Sequence, residues 1–282
     1  MKILLSALLA AVCFPAWPVN FTSSDGVRLS YIEEGAGETL VFVPGWLMPA
    51  EIWRPQIDYF ARKYRVVALD PRSQGSSELA GSGNHIQRRA DDLNELIHHL
   101  RAKRVVLIGW SMGVIDTLMY VRKYGDDKVA ALVLVDNSVG ESPPQSGDPD
   151  IRYEKPRSWE RDMATFVRSM FNTPQPPAYL DWLTQQVLRT PPQVSAGLLK
   201  VHTPGGSLRT TLYETRKPVF YAVTSSLRGQ AETLSRKRQE TAIEVFSGAG
   251  HALFVDQHAR FNASLDEFLG MTLAGSTPVT TP

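Results

Sequence analysis

Short apolar runs of strand length recur along this chain, separated by stretches whose apolar residues fall on one helical face. Thr39–Val43 is apolar throughout and closes on Pro44-Gly45. Residues 65–69 close on Asp70-Pro71, 104–108 on Gly109, and Val129–Val135 on Asp136. Residues 217–223 and 242–246 complete the series, and 27–32 read as an earlier, antiparallel strand. A run without polar alternation suits a strand covered on both faces, as in a parallel sheet between helix layers. Between the runs, residues 90–100 set Leu93, Leu96, Ile97 and Leu100 at helical spacing; 114–124 and 256–269 also read as helices. Such alternation predicts an α/β fold, a mainly parallel sheet flanked by helices.

The alternation lapses over residues 138–211, which are rich in proline and in aromatics such as Trp159, Phe166, Phe171, Tyr179 and Trp182. Helices are expected at 161–171 and 179–188, and the whole stretch reads as a helical cap inserted between two strands. The sheet-bearing core is then 19–137 and 212–272. Residues 273–282, rich in Ser, Thr and Pro, are expected to be a disordered tail.

The chain begins differently. Met1-Lys2 precedes an apolar segment from Ile3 to Phe14, followed by Pro15 and Pro18. A basic start and a short apolar core describe an export signal over residues 1–18, too short for a comfortable membrane span. The alternatives are a buried first element or, because of Cys13, a lipid anchor. The expectation is export to the periplasm or medium, with no stable membrane span in the mature protein. Cys13 is the sole cysteine, so there is no intrachain disulfide and no cysteine-based metal site or thiol nucleophile. The length of 282 residues fits one α/β domain with an insertion, and a formal net charge of +1 gives nothing that steers toward nucleic acid. The densest basic run, Arg236-Lys237-Arg238, reads as a solvated helix face.

The candidate chemistry begins at Gly109-Trp110-Ser111-Met112-Gly113. It follows an apolar strand and opens a helix, the context a G-x-S-x-G nucleophile elbow requires. Gly109 and Gly113, flanking Ser111 two residues away, let strand and helix approach closely around a strained turn. A serine hydroxyl needs a base. Of the six histidines, His251 is favoured, because Gly248-Ala249-Gly250-His251 forms a turn after the last strand. His98, His99 and His258 fall on helices, His202 in the cap and His85 in a polar loop. An acyl-transfer oxyanion needs two preorganised N–H donors. The backbone N–H of Met112 is one candidate, and that of Trp46, in the turn after Thr39–Val43, is the other.

Together Val43-Pro44-Gly45-Trp46, the segment from Asp70 to Ser77, Gly109–Gly113 and Gly250-His251 make the chain resemble the α/β-hydrolase fold family over nearly its whole mature length. Two places depart from the family pattern. Ser73 replaces the first glycine of the family's D-x-R-G-x-G-x-S loop, and Pro44 replaces a common histidine of the oxyanion loop. Neither is a catalytic side chain. The resemblance implies a triad in the order Ser, acid, His, with the acid usually after the strand that follows the cap. Here that strand runs into Thr224-Ser225-Ser226-Leu227-Arg228, without a carboxylate. A minority of the family carries the acid one strand earlier, where this chain has Asp136. Asp136 is therefore favoured, the alternatives being Glu232 or no carboxylate; Asp70 is read as a turn residue and Asp256 as a helix start.

The expectation is a cofactor- and metal-independent serine esterase acting on a small carboxylic ester or lactone, with Ser111, Asp136 and His251 as triad. Rivals are the same triad used for perhydrolysis, as in the non-haem haloperoxidase branch, or for amide or carbon–carbon bond cleavage. A non-catalytic hydrolase-fold binding protein is a further alternative.

Overall fold

The computed structural model describes residues 18–140, 158–199 and 207–273. The expected export signal lies outside them except for Pro18, and the expected tail except for Leu273. Among the described residues eight strands form one sheet in the order β1-β2-β4-β3-β5-β6-β7-β8. β1 (Val19–Thr22) and β2 (Arg28–Glu34) pair antiparallel, as do β2 and β4 (Arg65–Asp70). β3 (Thr39–Val43), β5 (Val105–Trp110), β6 (Val129–Val135), β7 (Val219–Thr224) and β8 (Thr241–Phe246) run parallel with their neighbours.

The apolar runs are apolar because both faces are covered. In β3, Leu40 and Phe42 join one core with Trp53, Ile57 and Phe60 of α1 (Arg54–Phe60) and the short turn before it, and with Phe261 and Leu265 of α10 (His258–Leu273). Val41 and Val43 face the other way. They pack with Leu93, Leu96 and Ile97 of α2 (Ile86–His99) and with Leu118 and Val121 of α3 (Met112–Tyr124). Each such side chain, fully buried, contributes about 1.5–3 kcal/mol.

Between β6 and β7 come α4 (Trp159–Ser169), α5 (Pro177–Leu188), α6 (Pro192–Leu198) and α7 (Ser207–Glu214). α4 starts two residues earlier than the apolar spacing suggests because the Ser158 hydroxyl caps it, accepting from Arg161 N–H at 3.4 Å. Met163, Val167, Leu183 and Val187 bury one side of this insertion against the core that holds Trp46. α7 straddles the expected core boundary at 211/212, and Leu212 packs into the α2–α3 side of the core.

Other boundaries shifted for visible reasons. β5 runs two residues further than its apolar core, so Gly109 and Trp110 belong to the strand and Ser111 follows its end. The last helical stretch is two pieces: α9 (Leu253–Asp256) ends at Gln257 (φ −124°, ψ 46°), and α10 begins at His258. α8 (Arg228–Lys237) completes the flanking helices described.

Candidate active site

Strand order reverses at β3: β4 lies on one side of it, and the chain returns to place β5 on the other. Loops leaving the carboxyl ends of strands at such a reversal diverge and leave a crevice. The register brings the ends level, with Val43 opposite Gly109, Trp110 opposite Val135, Val135 opposite Ala222 and Thr224 opposite Phe246. Residues just beyond these positions therefore meet, although they are far apart in sequence.

Ser111 sits at φ 53°, ψ −121°, a costly conformation for a residue with a side chain. It is held by the sheet: its N–H donates to Val135 O at 2.9 Å, and Asn137 Nδ2 donates to its carbonyl at 2.7 Å. Beneath it, α3 passes so close to β3 that a Cβ on Gly113 would run into the Val43 carbonyl. The Trp110 ring is buried behind Ser111.

Asp136 repeats this geometry one strand over. Its φ is 44°, and its N–H continues the ladder to Ala222 O at 2.9 Å. Its carboxylate is buried and uses both oxygens. Oδ1 accepts from Thr224 N–H at 2.7 Å and from Thr224 Oγ1 at 2.8 Å; Oδ2 lies 2.7 Å from His251 Nδ1. An ionised carboxylate only accepts, so Nδ1 carries the proton and Nε2 is the free acceptor, a tautomer inferred from the network. The end of β7, where the family usually has its acid, thus supplies a donor to Asp136, just past the end of β6. Glu232 lies on α8, its nearest ion-pair contact being Arg228 at 3.9 Å.

His251 is tied to the residue preceding Ser111. Trp110 Nε1 donates to His251 O at 2.9 Å, and the two rings lie 5.2 Å apart between centroids. The other described histidines are elsewhere. His85 caps α2, His98 and His99 lie in its last turn, and His258 opens α10.

The 44–47 turn lies directly over the elbow, since a Cβ on Gly45 would stand 3.1 Å from Ser111 Cβ. Among the described residues no protein acceptor takes the N–H of Trp46 or of Met112, whereas Leu47 N–H goes to Gln74 Oε1 at 2.7 Å and Met48 N–H to Gly45 O at 3.2 Å. Gln74 brackets Trp46 from its other side as well, donating to Gly45 O at 3.4 Å. The Trp46 indole reaches the insertion: Nε1 donates to Ser195 O at 3.0 Å, and the ring meets Phe166 edge-on at 5.3 Å. Asp70 is buried behind this turn, accepting from Ala50 N–H at 2.6 Å and Ser76 N–H at 2.9 Å. Burial pushes its carboxyl up to about 6, against those two N–H donors.

Sequence reading did not single out Thr224, Asn137 or Gln74. Thr224 had one signal, a hydroxyl directly ending an apolar strand where a carboxylate was sought. A cleft of about 660 Å³ opens between α1, α5 and α10, beside Glu51, Arg54, Gln175 and Tyr179; it is lined by neither Ser111, Asp136 nor His251. Among the described residues no group of three His, Cys, Asp or Glu could hold a metal ion, and no helix is long and apolar enough to cross a membrane.

A model described as the alpha/beta hydrolase family matches residues 40–264. Among curated proteins the chain is similar to a non-heme haloperoxidase of Rhodococcus erythropolis, 33% identical over 115 residues. That match covers 40% of this chain and 42% of the relative, so the chain spans under half the length of the curated protein it matches. Among solved structures, a candidate aryl esterase from Burkholderia cenocepacia superposes with a TM-score of 0.80 at 23% identity, over 92% of this chain and 100% of that one. An N-acyl homoserine lactonase superposes with a TM-score of 0.76 at 21% identity, over 95% and 100% of the two chains. At these identities the superpositions speak for the fold alone. The family match runs from β3 into α10, through every strand end that carries the site, and this chain belongs to the alpha/beta hydrolase family.

Proposed function

We propose that the protein is a serine hydrolase that cleaves a carboxylic ester or lactone through an acyl-enzyme intermediate. The observation that carries this reading is the 2.7 Å contact of Asp136 with His251 Nδ1, on a histidine tethered to Trp110 beside Ser111. With Nδ1–H directed at Asp136, Nε2 can accept the Ser111 hydroxyl proton as Oγ attacks the carbonyl carbon. The tetrahedral oxyanion is held by the free N–H groups of Trp46 and Met112, with the amino end of α3 adding favourable potential. The carbon–oxygen bond to the leaving group then breaks, and the imidazolium returns its proton to the departing alkoxide. Water, deprotonated at the same Nε2, attacks the acyl carbon and frees Ser111. The two Asp136 oxygens play different parts, Oδ2 orienting the imidazole while Oδ1 is fixed by Thr224. The aromatic pair Trp46–Phe166 supports an apolar wall contributed partly by the insertion, which acts here as a cap.

A second reading, perhydrolysis of a carboxylic acid by hydrogen peroxide to peracid and water, is favoured by the similarity to the haloperoxidase. A fluorophosphonate should add mass to the peptide containing Ser111, and Ser111→Ala should abolish turnover of p-nitrophenyl esters and lactones of graded size. Labelling elsewhere, with Ser111→Ala still active, contradicts the mechanism; faster peracid formation than ester hydrolysis favours the second reading. Asp136→Asn should lose at least about 10² in kcat, by analogy with the roughly 10⁴ lost in serine proteases, while Glu232→Gln stays within a few-fold of wild type. We also propose export, on the strength of the apolar segment after Met1-Lys2. Intact-mass analysis of the periplasmic fraction should find the first residues removed, and a full-length chain there counts against it.

A further inference from the structure

His251 stands on a loop, and a loop of this composition is loose unless something holds it. Gly248 has φ 80°, and Gly250 directly precedes the imidazole-bearing residue. What holds the loop lies outside the sheet. Gly250 N–H donates to Asp256 Oδ2 at 2.7 Å, and Ala252 N–H donates to Met170 O at 2.9 Å, so both neighbours of His251 are bonded. Asp256 also collects donors from the linker between α4 and α5. Asn172 N–H reaches Oδ2 at 2.7 Å; Thr173 Oγ1, Thr173 N–H and Gln175 Nε2 reach Oδ1 at 2.5, 3.2 and 3.4 Å. One carboxylate therefore joins the histidine loop to the insertion. The two are closely packed, since a Cβ on Gly250 would stand 2.5 Å from Met170 O and 2.8 Å from Asn172 N.

We propose that Asp256 is a positioning residue that locks the general base to the insertion, so that the seating of the insertion and the reach of the imidazole to Ser111 are one coordinate. The proposal rests on the serine-hydrolase reading above. The physical case is that hydrogen bonds to a charged acceptor are roughly twice as strong as neutral ones. Five neutral donors converge on this one carboxylate. The carboxylate is not part of the proton path; it sets where the path's flexible member stands. The insertion is itself fastened to the core at its other end, where Trp46 Nε1 meets Ser195 O, Thr190 Oγ1 donates to Ser73 O at 2.6 Å, and Arg89 Nη1 donates to Leu198 O at 3.2 Å. The insertion therefore touches both the oxyanion turn and the loop that carries the base. A displacement of about 1 Å in a catalytic group can cost on the order of 10²-fold.

Asp256→Asn tests this. An amide matches the carboxylate in shape but accepts at one end only, so its NH2 must confront either the Gly250 or the Thr173 donors. The readout is kcat/KM, which covers steps through acylation, on two esters with the same acyl group: a p-nitrophenyl ester, whose leaving group departs unprotonated, and an ethyl ester, whose alkoxide needs the proton from His251. We expect the variant to lose about tenfold on the first and about 10²-fold or more on the second, the difference reflecting misplaced general-acid catalysis. A merely destabilised protein loses both equally, and equal losses in a folded variant overturn the proposal. Should Asp256→Asn not fold, Thr173→Val, which removes the hydroxyl donor in the insertion, carries the same test: a smaller loss still biased toward the ethyl ester supports the proposal, and an unbiased one overturns it. Wild type and Ser111→Ala are run alongside. A Ser111→Ala protein that still cleaves both esters refutes the serine mechanism itself, whereas a dead Ser111→Ala with unbiased Asp256 and Thr173 variants refutes only the role of Asp256.

Discussion

Ser111 and Asp136 extend the sheet, while His251 sits on a loop tied both to the insertion and to Trp110 of β5. The first two each continue the strand ladder by one backbone bond, to Val135 O and Ala222 O, and each takes a positive φ at the point of leaving it. His251 has no ladder; its neighbours bond to Asp256 and Met170, and its carbonyl to the Trp110 indole. The proposed nucleophile and acid thus inherit their positions from the sheet, and the proposed base in part from a helical layer added to it. A shift of a sheet end strains strands paired on both sides, whereas a shift of the linker strains only its own bonds to Asp256 and Ala252. Precision and adaptability are divided between the two partners of the proposed proton transfer.

The largest effects should come from placing a methyl group on each side of this division. At Gly113 the added Cβ meets the Val43 carbonyl, which belongs to a strand paired on both sides. Gly113→Ala should lose about 3 kcal/mol or more, the upper range for overpacking, together with fluorophosphonate labelling. At Gly250 the obstacles are Met170 O and Asn172 N, in the linker. Gly250→Ala should lose nearly as much activity but clearly less stability, because the linker can yield. Thermal melts of the two variants decide it, and an equal or larger loss at Gly250 would remove the distinction between rigid and yielding supports.

The same division explains what could be read in the chain. Strand ends are legible because the apolar run, its length and the turn that closes it are local; so Ser111, Asp136 and the 44–47 turn could be placed at one edge of the sheet from sequence alone. β1 and α1 escaped. β1 is four residues with only Phe21 buried, and it adjoins the segment read as an export signal. α1 offers little more than Ile57 and Phe60 as an apolar face. Asp256 reads locally as a helix start. Its partners in the insertion, Asn172 and Thr173, lie more than eighty residues away, and no local pattern encodes them. Thr224 shows the converse case, where a missing carboxylate was visible in the sequence but the hydroxyl's service to Asp136 was not.

On the sheet side, Asp70 gives a pH signature. Its folded value of about 6 lies above the ordinary 3.8, with burial the leading cause. The folded state therefore holds this proton more tightly than the unfolded chain does. The associated stability is fully present below about pH 4 and is lost as pH rises through 6, amounting to about 3 kcal/mol in all. Other carboxylates act in the opposite sense, so the test is a difference. The melting temperature of Asp70→Asn relative to wild type should rise between pH 4 and 7, and a flat difference would mean that Asp70 is ionised throughout.

Thr224→Val sharpens the picture at Asp136. The backbone N–H of residue 224 still reaches Oδ1, but the hydroxyl bond is gone. A hydrogen bond to a charged group is worth about 1.5–3 kcal/mol. Because the second donor keeps the carboxylate from being orphaned, the loss should fall at the low end, about tenfold in kcat with KM little changed. Thr224→Ser, retaining the hydroxyl, should recover most of it. A Val variant with full activity would mean that the sheet alone orients Asp136.

The smallest effect is expected at Ser73, where the insertion sits on the core and where a glycine would suit the backbone better. Its φ of 63° is left-handed, which costs a side-chain-bearing residue about 1–2 kcal/mol. Ser73→Gly removes that strain. Glycine, however, loses more freedom on folding, by about 0.5–1 kcal/mol, which cancels much of the gain. The hydroxyl is also lost. It accepts from Ala80 N–H at 3.0 Å and donates to Asn84 Oδ1 at 2.8 Å, and a buried N–H left without an acceptor costs about 1–3 kcal/mol. The balance is a net destabilisation of about 1 kcal/mol, a drop of roughly 2–4 °C in Tm for a chain of this size. Activity should hold, because the bond that seats the insertion runs from Thr190 Oγ1 to the backbone oxygen of residue 73, which the substitution leaves in place. A variant more stable than wild type would mean that the serine is tolerated strain and that its hydroxyl holds nothing; a variant of normal stability but much lower activity would show that the seat of the insertion depends on this side chain after all.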